Sequence, residues 1–180
     1  MYKKIASLAA ASVLAAALVG ITASPATAVV DSLTCAVGSS TTTYDPPITM
    51  TQATTTRTID QVYGPLCVGT GSAAGITSGT HYSSNTTSRS CLQLLSTGNV
   101  SWTITWNTGQ TSTVSTSRVS NVVGAVFSNV FTGTVTAGVL QGHTLIENMT
   151  APSLPITLCT AGLGNVSQLN SVHTLEIAPL

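Results

Sequence analysis

The chain has 180 residues, with five lysines and arginines, five aspartates and glutamates, and only 6% charged residues. Lys3 and Lys4 lie in an N-terminal segment that reads as removable, which leaves Arg57, Arg89 and Arg118 against Asp31, Asp45, Asp60, Glu147 and Glu176, three minus five, or −2. So few cations exclude the phosphate-neutralising surface of a nucleic-acid binder and electrostatic docking on an anionic membrane.

Residues 1–28 have the three parts of a secretory signal peptide: the basic start Tyr2-Lys3-Lys4, the alanine-rich apolar run from Ile5 to Ile21, and the small-residue cleavage site Ala26-Thr27-Ala28. A run of about 17 mostly alanine residues is short for a membrane span, and no basic stop-transfer cluster follows it. The expectation is a single secreted, extracellular domain over 29–180 with no later membrane span. Serine and threonine make up 49 of those 152 residues and are mixed with valine and isoleucine, a composition suited to strands with one wet face.

Four cysteines, Cys35, Cys67, Cys91 and Cys159, predict two disulfides in an oxidising compartment, with three connectivities open. Pairing Cys35 with Cys67 and Cys91 with Cys159 is favoured, because the first pair would tie the start of the domain to the end of its first long strand. No C-x-x-C and no nearby histidine pair is present, so neither a zinc site nor any other metal or cofactor is expected.

In chain order, Asp45-Pro46-Pro47 sets a turn or an extended approach to a threonine-rich strand from Thr49 to Tyr63. A Gly/Ser/Ala loop at 69–75 leads to a strand from Ile76 to Ser88. Ser90 to Leu95 lacks alternation and reads as one helical turn capped by Ser90. Val100, Trp102, Ile104 and Trp106 alternate with polar residues, which predicts a half-buried strand; Gly109 then makes the turn of a hairpin. The return strand, Thr111 to Asn121, is polar on both faces and reads as an edge or a solvent-covered strand, with Arg118 as a guard against edge pairing. Residues 131–144 predict a hairpin turning at Ala137-Gly138 with Gly133 opposite Gly142, a gap that a tryptophan ring would fill. With Pro152 and Pro155, residues 149–166 read as a connection pinned by Cys159, and Val172 to Ala178 as the last strand. The sum is an all-β fold, an antiparallel β-sandwich or barrel of about seven or eight strands, stapled by disulfides.

No catalytic motif stands out, and none of the residues is assigned as catalytic. His143, Glu147 and Gln141 share a strand face as a weak polar constellation, and with Trp102 and Trp106 they are the candidate ligand-binding residues. His173 alternates with Leu175 and Ile177, the pattern of a satisfied, semi-buried histidine.

The stretches VYGPLC, SCLQLLSTG, TWNTGQTSTV and FTGTVTAGVLQGHT resemble small exported proteins of actinobacteria. That resemblance implies export and disulfides and carries no activity. The leading expectation is a non-catalytic binding or surface-associated module whose partner is a cell-surface or extracellular protein or glycan. The rivals are a small apolar-ligand carrier, if the sheet closes around a cavity, and a hydrolase using His143 or His173.

Overall fold

The computed structural model describes residues 30–180; the predicted signal segment lies outside the described residues. It contains nine strands, β1 (Ser32–Ile48), β2 (Ala53–Tyr63), β3 (Cys67–Thr70), β4 (Gly79–Arg89), β5 (Gly98–Trp106), β6 (Thr111–Val123), β7 (Val126–Gly138), β8 (Thr144–Pro152) and β9 (Val166–Ala178). One helix, α1 (Leu154–Thr160), and two 3-10 turns, Gly71–Ala73 and Cys91–Leu95, complete it. Neighbours run β2-β4-β5-β6-β7-β8-β9-β1, all antiparallel, and β1 pairs back onto β2, so the eight long strands close into a barrel. β3 is the extra strand; it adds to the start of β1, where Cys35 faces Cys67 across the ladder and is bonded to it.

The packing is layered along the barrel axis because inward positions alternate with outward ones. At the lower end Leu33, Tyr63, Ile76, Ile104, Trp106, Val114, Val135, Leu145, Leu175 and Ile177 form a dense core. At the upper end Tyr44, Ile48, Leu94, Phe127, Ala151, Ile156 and Val166 form a second one. This upper core is roofed by the 3-10 turn Cys91–Leu95 and by α1, which the Cys91–Cys159 disulfide joins. Both sequence-favoured pairings are therefore present.

Several expectations need correction. Residues 32–48 form the longest strand, although the sequence reading assigned none there. β6 is neither an edge nor a solvent-covered strand: it pairs with β5 from Thr111 to Arg118 and with β7 from Ser112 to Val123, and Ser112, Val114 and Thr116 point inward and are buried. It looked polar on both faces because the middle of the barrel interior is itself polar. Gly133 does not face Gly142; β7 and β8 place Gly133 opposite Leu145, and Gly142, with φ of 86°, lies in the turn that joins them. The glycines that make room for rings are Gly38, against His173, and Gly79, against Trp106. The segment after Met149 continues β8 to Pro152 and then forms α1, whose first turn accommodates Pro155. Ser90 occupies the N-cap of its 3-10 turn without a side-chain cap bond.

Candidate functional site

Between the two cores the barrel holds a partly open cavity of about 220 Å³. A space of this size suits a ligand of one or two rings and not a macrocycle. Ile59, Trp102, Phe131, Met149 and Leu169 give it apolar walls, and Ser40, Thr42, Gln61, Asn129, Glu147 and Ser171 give it polar ones. Trp102 and Phe131 meet edge to face, ring centroids 5.5 Å apart.

A polar network forms the floor. Strands β2, β8 and β9 each aim one inward position at the same point, bringing Gln61, Glu147 and His173 together, with Tyr63 one step below. Gln61 Nε2 donates to Glu147 Oε1 at 2.5 Å, Tyr63 Oη donates to Oε2 at 3.1 Å, and His173 Nδ1 lies 3.2 Å from Oε1. Trp102 Nε1 donates to Tyr63 Oη at 3.1 Å, which couples the cavity wall to the floor. Glu147 is 1% exposed, and these donors are what make the burial of its carboxylate tolerable. Burial pushes the Tyr63 hydroxyl well above the ordinary tyrosine range, and the neighbouring Glu147 pushes the same way. The other nitrogen of His173 lies 3.3 Å from the Ser39 carbonyl, so no hydroxyl sits on this histidine as a nucleophile would.

The wall has a slot. β4 and β5 pair only at Gly79 with Trp106 and Thr80 with Thr105; above that the two strands diverge. His81 closes the lower end of the slot with Nδ1 donating to the Thr103 carbonyl at 2.9 Å, a side chain standing in for a ladder bond. Ser83 on β4 and Val100 on β5 form its lips.

Arginines surround the upper end of the cavity. Arg57 on β2 and Arg118 on β6 line both the cavity and the outer groove above it, and Arg89 at the end of β4 lines that groove. Arg118 donates to the carbonyls of Gln93 and Ser96, and Arg89 to Asn85 Oδ1 at 2.7 Å. Arg57 has no comparable tie, and the Nε atoms of all three are buried without partners. Among the described residues the one side-chain contact at salt-bridge distance is His173 with Glu147, so none of the arginines has a carboxylate.

Of the sequence candidates, Glu147 and Trp102 belong to this site. Gln141 and His143 sit in the turn before β8, His143 Nδ1 being 3.5 Å from the Gln141 carbonyl, and they do not meet Glu147. Trp106 is in the lower core, its Nε1 donating to Ser112 Oγ at 2.9 Å. Gln61, Tyr63, Arg57 and Arg118 were not singled out. Their signal was available in the alternation Arg57-Ile59-Gln61-Tyr63, where polar groups recur on the face that ends in a buried tyrosine. Among the described residues no group of three histidine, cysteine or acidic side chains is placed to hold a metal ion, and no helix is long and apolar enough to cross a membrane. No protein-family model matches the chain, and no curated protein or solved structure matches it either.

Proposed function

We propose that the protein is a non-catalytic binder of a small molecule, which it holds inside the barrel and admits through the slot between β4 and β5. The observation that carries this reading is the cavity of about 220 Å³ between two filled cores, with an aromatic pair on one wall and a satisfied polar network at its floor. An eight-stranded barrel is wide enough for its own side chains or for one small ligand. Here serines and a threonine, Ser40, Thr42, Ser101 and Ser171, take lining positions where larger groups would have filled the space. The two disulfides fit action outside the reducing cytoplasm, in line with the predicted export signal. This reading takes up the small-ligand carrier, the rival expected if the sheet closes around a cavity, in place of the surface-contact module that led the sequence analysis.

Naphthalene-1-carboxamide, a neutral two-ring probe, tests it. Titrated into the folded, oxidised protein, it is expected to change the fluorescence of Trp102 saturably, with micromolar affinity. Val100→Trp and Ser83→Trp, at the slot lips, should slow or abolish the change without lowering the melting temperature. A native protein whose fluorescence and heat of titration stay flat to millimolar concentrations of this probe and of its carboxylate and phosphate counterparts alike rules the reading out.

A further inference from the structure

Resting on that reading, we infer that the ligand is an anion: a compact carboxylate or phosphate head held by Arg57 with Arg118 and Arg89, on an apolar body seated between Trp102, Phe131 and Met149. All three arginines of the described chain, contributed by β2, β4 and β6, gather around the upper end of the cavity and the groove above it, and of the five acidic residues only Glu147 lines the cavity, at its opposite end. Like charges brought together in a partly desolvated place repel. The effect is visible in the groups themselves, since burial first and the Arg57 charge second draw both Arg89 and Arg118 below the ordinary arginine range. A structural role would normally give each guanidinium a carboxylate, yet none has one.

Two of the three are held in place by backbone or amide oxygens, which fixes their planes without cancelling their charge. Arg57 remains with its donors uncommitted at the boundary of cavity and groove. A guanidinium presents a planar fork of donors that matches an oxyanion in two parallel bonds. Tyr44, buried beside the cluster and lining the same space, offers a hydroxyl whose own ionisation burial opposes, so it stays a donor to an incoming anion. At the opposite end of the cavity Glu147 already has its donors and offers an incoming anion none, which favours a head-up orientation toward the arginines.

The test compares probes of one shape: naphthalene-1-carboxylate, 1-naphthyl phosphate and the neutral carboxamide, titrated into the folded, oxidised protein. The carboxylate or the phosphate is expected to bind on the order of 10-fold more tightly than the carboxamide at low salt. The preference should shrink as salt rises from about 20 to 500 mM, where screening becomes short-ranged. Whichever anion leads identifies the head group. Arg57→Gln is expected to bring the anion-to-carboxamide ratio close to one. The salt series on the native protein gives the same information if that variant folds poorly. A carboxamide that binds as well as both anions, or a ratio that Arg57→Gln and salt leave unchanged, overturns the anion assignment alone; a carboxamide and anions that all fail to bind overturn the cavity reading beneath it.

Discussion

The ring of His173 lies flat against the backbone of Gly38, so close that a methyl group built on Gly38 would sit 2.5 Å from Nε2. The two residues are paired across β1 and β9, and the missing side chain is what lets the histidine lean toward Glu147 on β8. Gly38→Ala therefore has to displace a ring that is held on three sides. The expected cost is about 1–3 kcal/mol, as for other overpacked cores, or a fall in melting temperature of a few degrees per kcal/mol. A double-mutant cycle with His173→Asn checks the cause. The alanine should cost much less once the ring is gone, and strictly additive losses would show that the strain lies elsewhere.

Tyr63 and Glu147 make a second prediction, on the alkaline side. Burial, then Glu147, holds the Tyr63 proton on well above the ordinary tyrosine value near 10. A group whose folded pKa is raised gives stability that is complete below its unfolded pKa and is lost as pH rises toward the folded value. Stability should thus fall from about pH 10 upward. Tyr63→Phe should flatten that fall while lowering stability at pH 7 by about 1–3 kcal/mol, because Glu147 Oε2 and Trp102 Nε1 both lose their partner. Denaturant melts across the alkaline range, read for both proteins, decide it.

The disulfides should not be equivalent. On chain entropy, separations of 32 and 68 residues give about 3.5–4.5 kcal/mol each. Cys35–Cys67 fastens β3, which lies outside the closed ring, whereas Cys91–Cys159 fastens the roof over the cavity. Replacing Cys91 and Cys159 by alanine should raise hydrogen exchange first in α1 and the 3-10 turn and weaken binding of the neutral probe. Replacing Cys35 and Cys67 should free β3 and leave probe binding nearly intact. Equal effects of the two pairs on binding would contradict the roof assignment.

The elements that were legible in the sequence are those whose partners are close along the chain. The hairpin of β5 and β6 was readable because Val100 to Trp106 alternates and Gly109, with φ of 80°, follows within three residues. β1 was not, although it pairs with the adjacent β2, because its inward positions Gly38, Ser40 and Thr42 are small or polar and show no apolar alternation, and its other long partner, β9, is more than 110 residues away. The same reason hid the site. A strand facing a polar interior has the periodicity of a strand facing water, so β6 reads as an edge or a solvent-covered strand and Gln61 does not stand out. Glu147 and His173 were the exceptions that the sequence could mark: each interrupts a face that is otherwise apolar, Leu145-Glu147-Met149-Ala151 and His173-Leu175-Ile177. Their meeting depends on the β8–β9 register, which no local pattern encodes.

His81 makes the last prediction, because it stands where the ladder between β4 and β5 ends. Its Nδ1 must carry the proton it donates to the Thr103 carbonyl, and burial, only partly offset by that bond, draws its pKa below the ordinary histidine value. Glu147, which acts to raise it, and Arg57, which acts to lower it, are the charges that influence it most. A depressed folded pKa means that the unfolded chain takes up the proton first as pH falls. Stability is then complete above the unfolded value near 6.5 and declines as pH drops below it toward the folded value. His81→Gln should make the loss between about pH 7 and 5 smaller than in the native protein. His81→Ala should cost about 1 kcal/mol at pH 7 for the lost rung and lengthen the slot downward. Stopped-flow mixing with naphthalene-1-carboxamide should then show faster association and faster release in His81→Ala, with amide exchange raised at Thr80 and Thr105. Native-like rates with the rung removed would mean that the ligand reaches the cavity by another path.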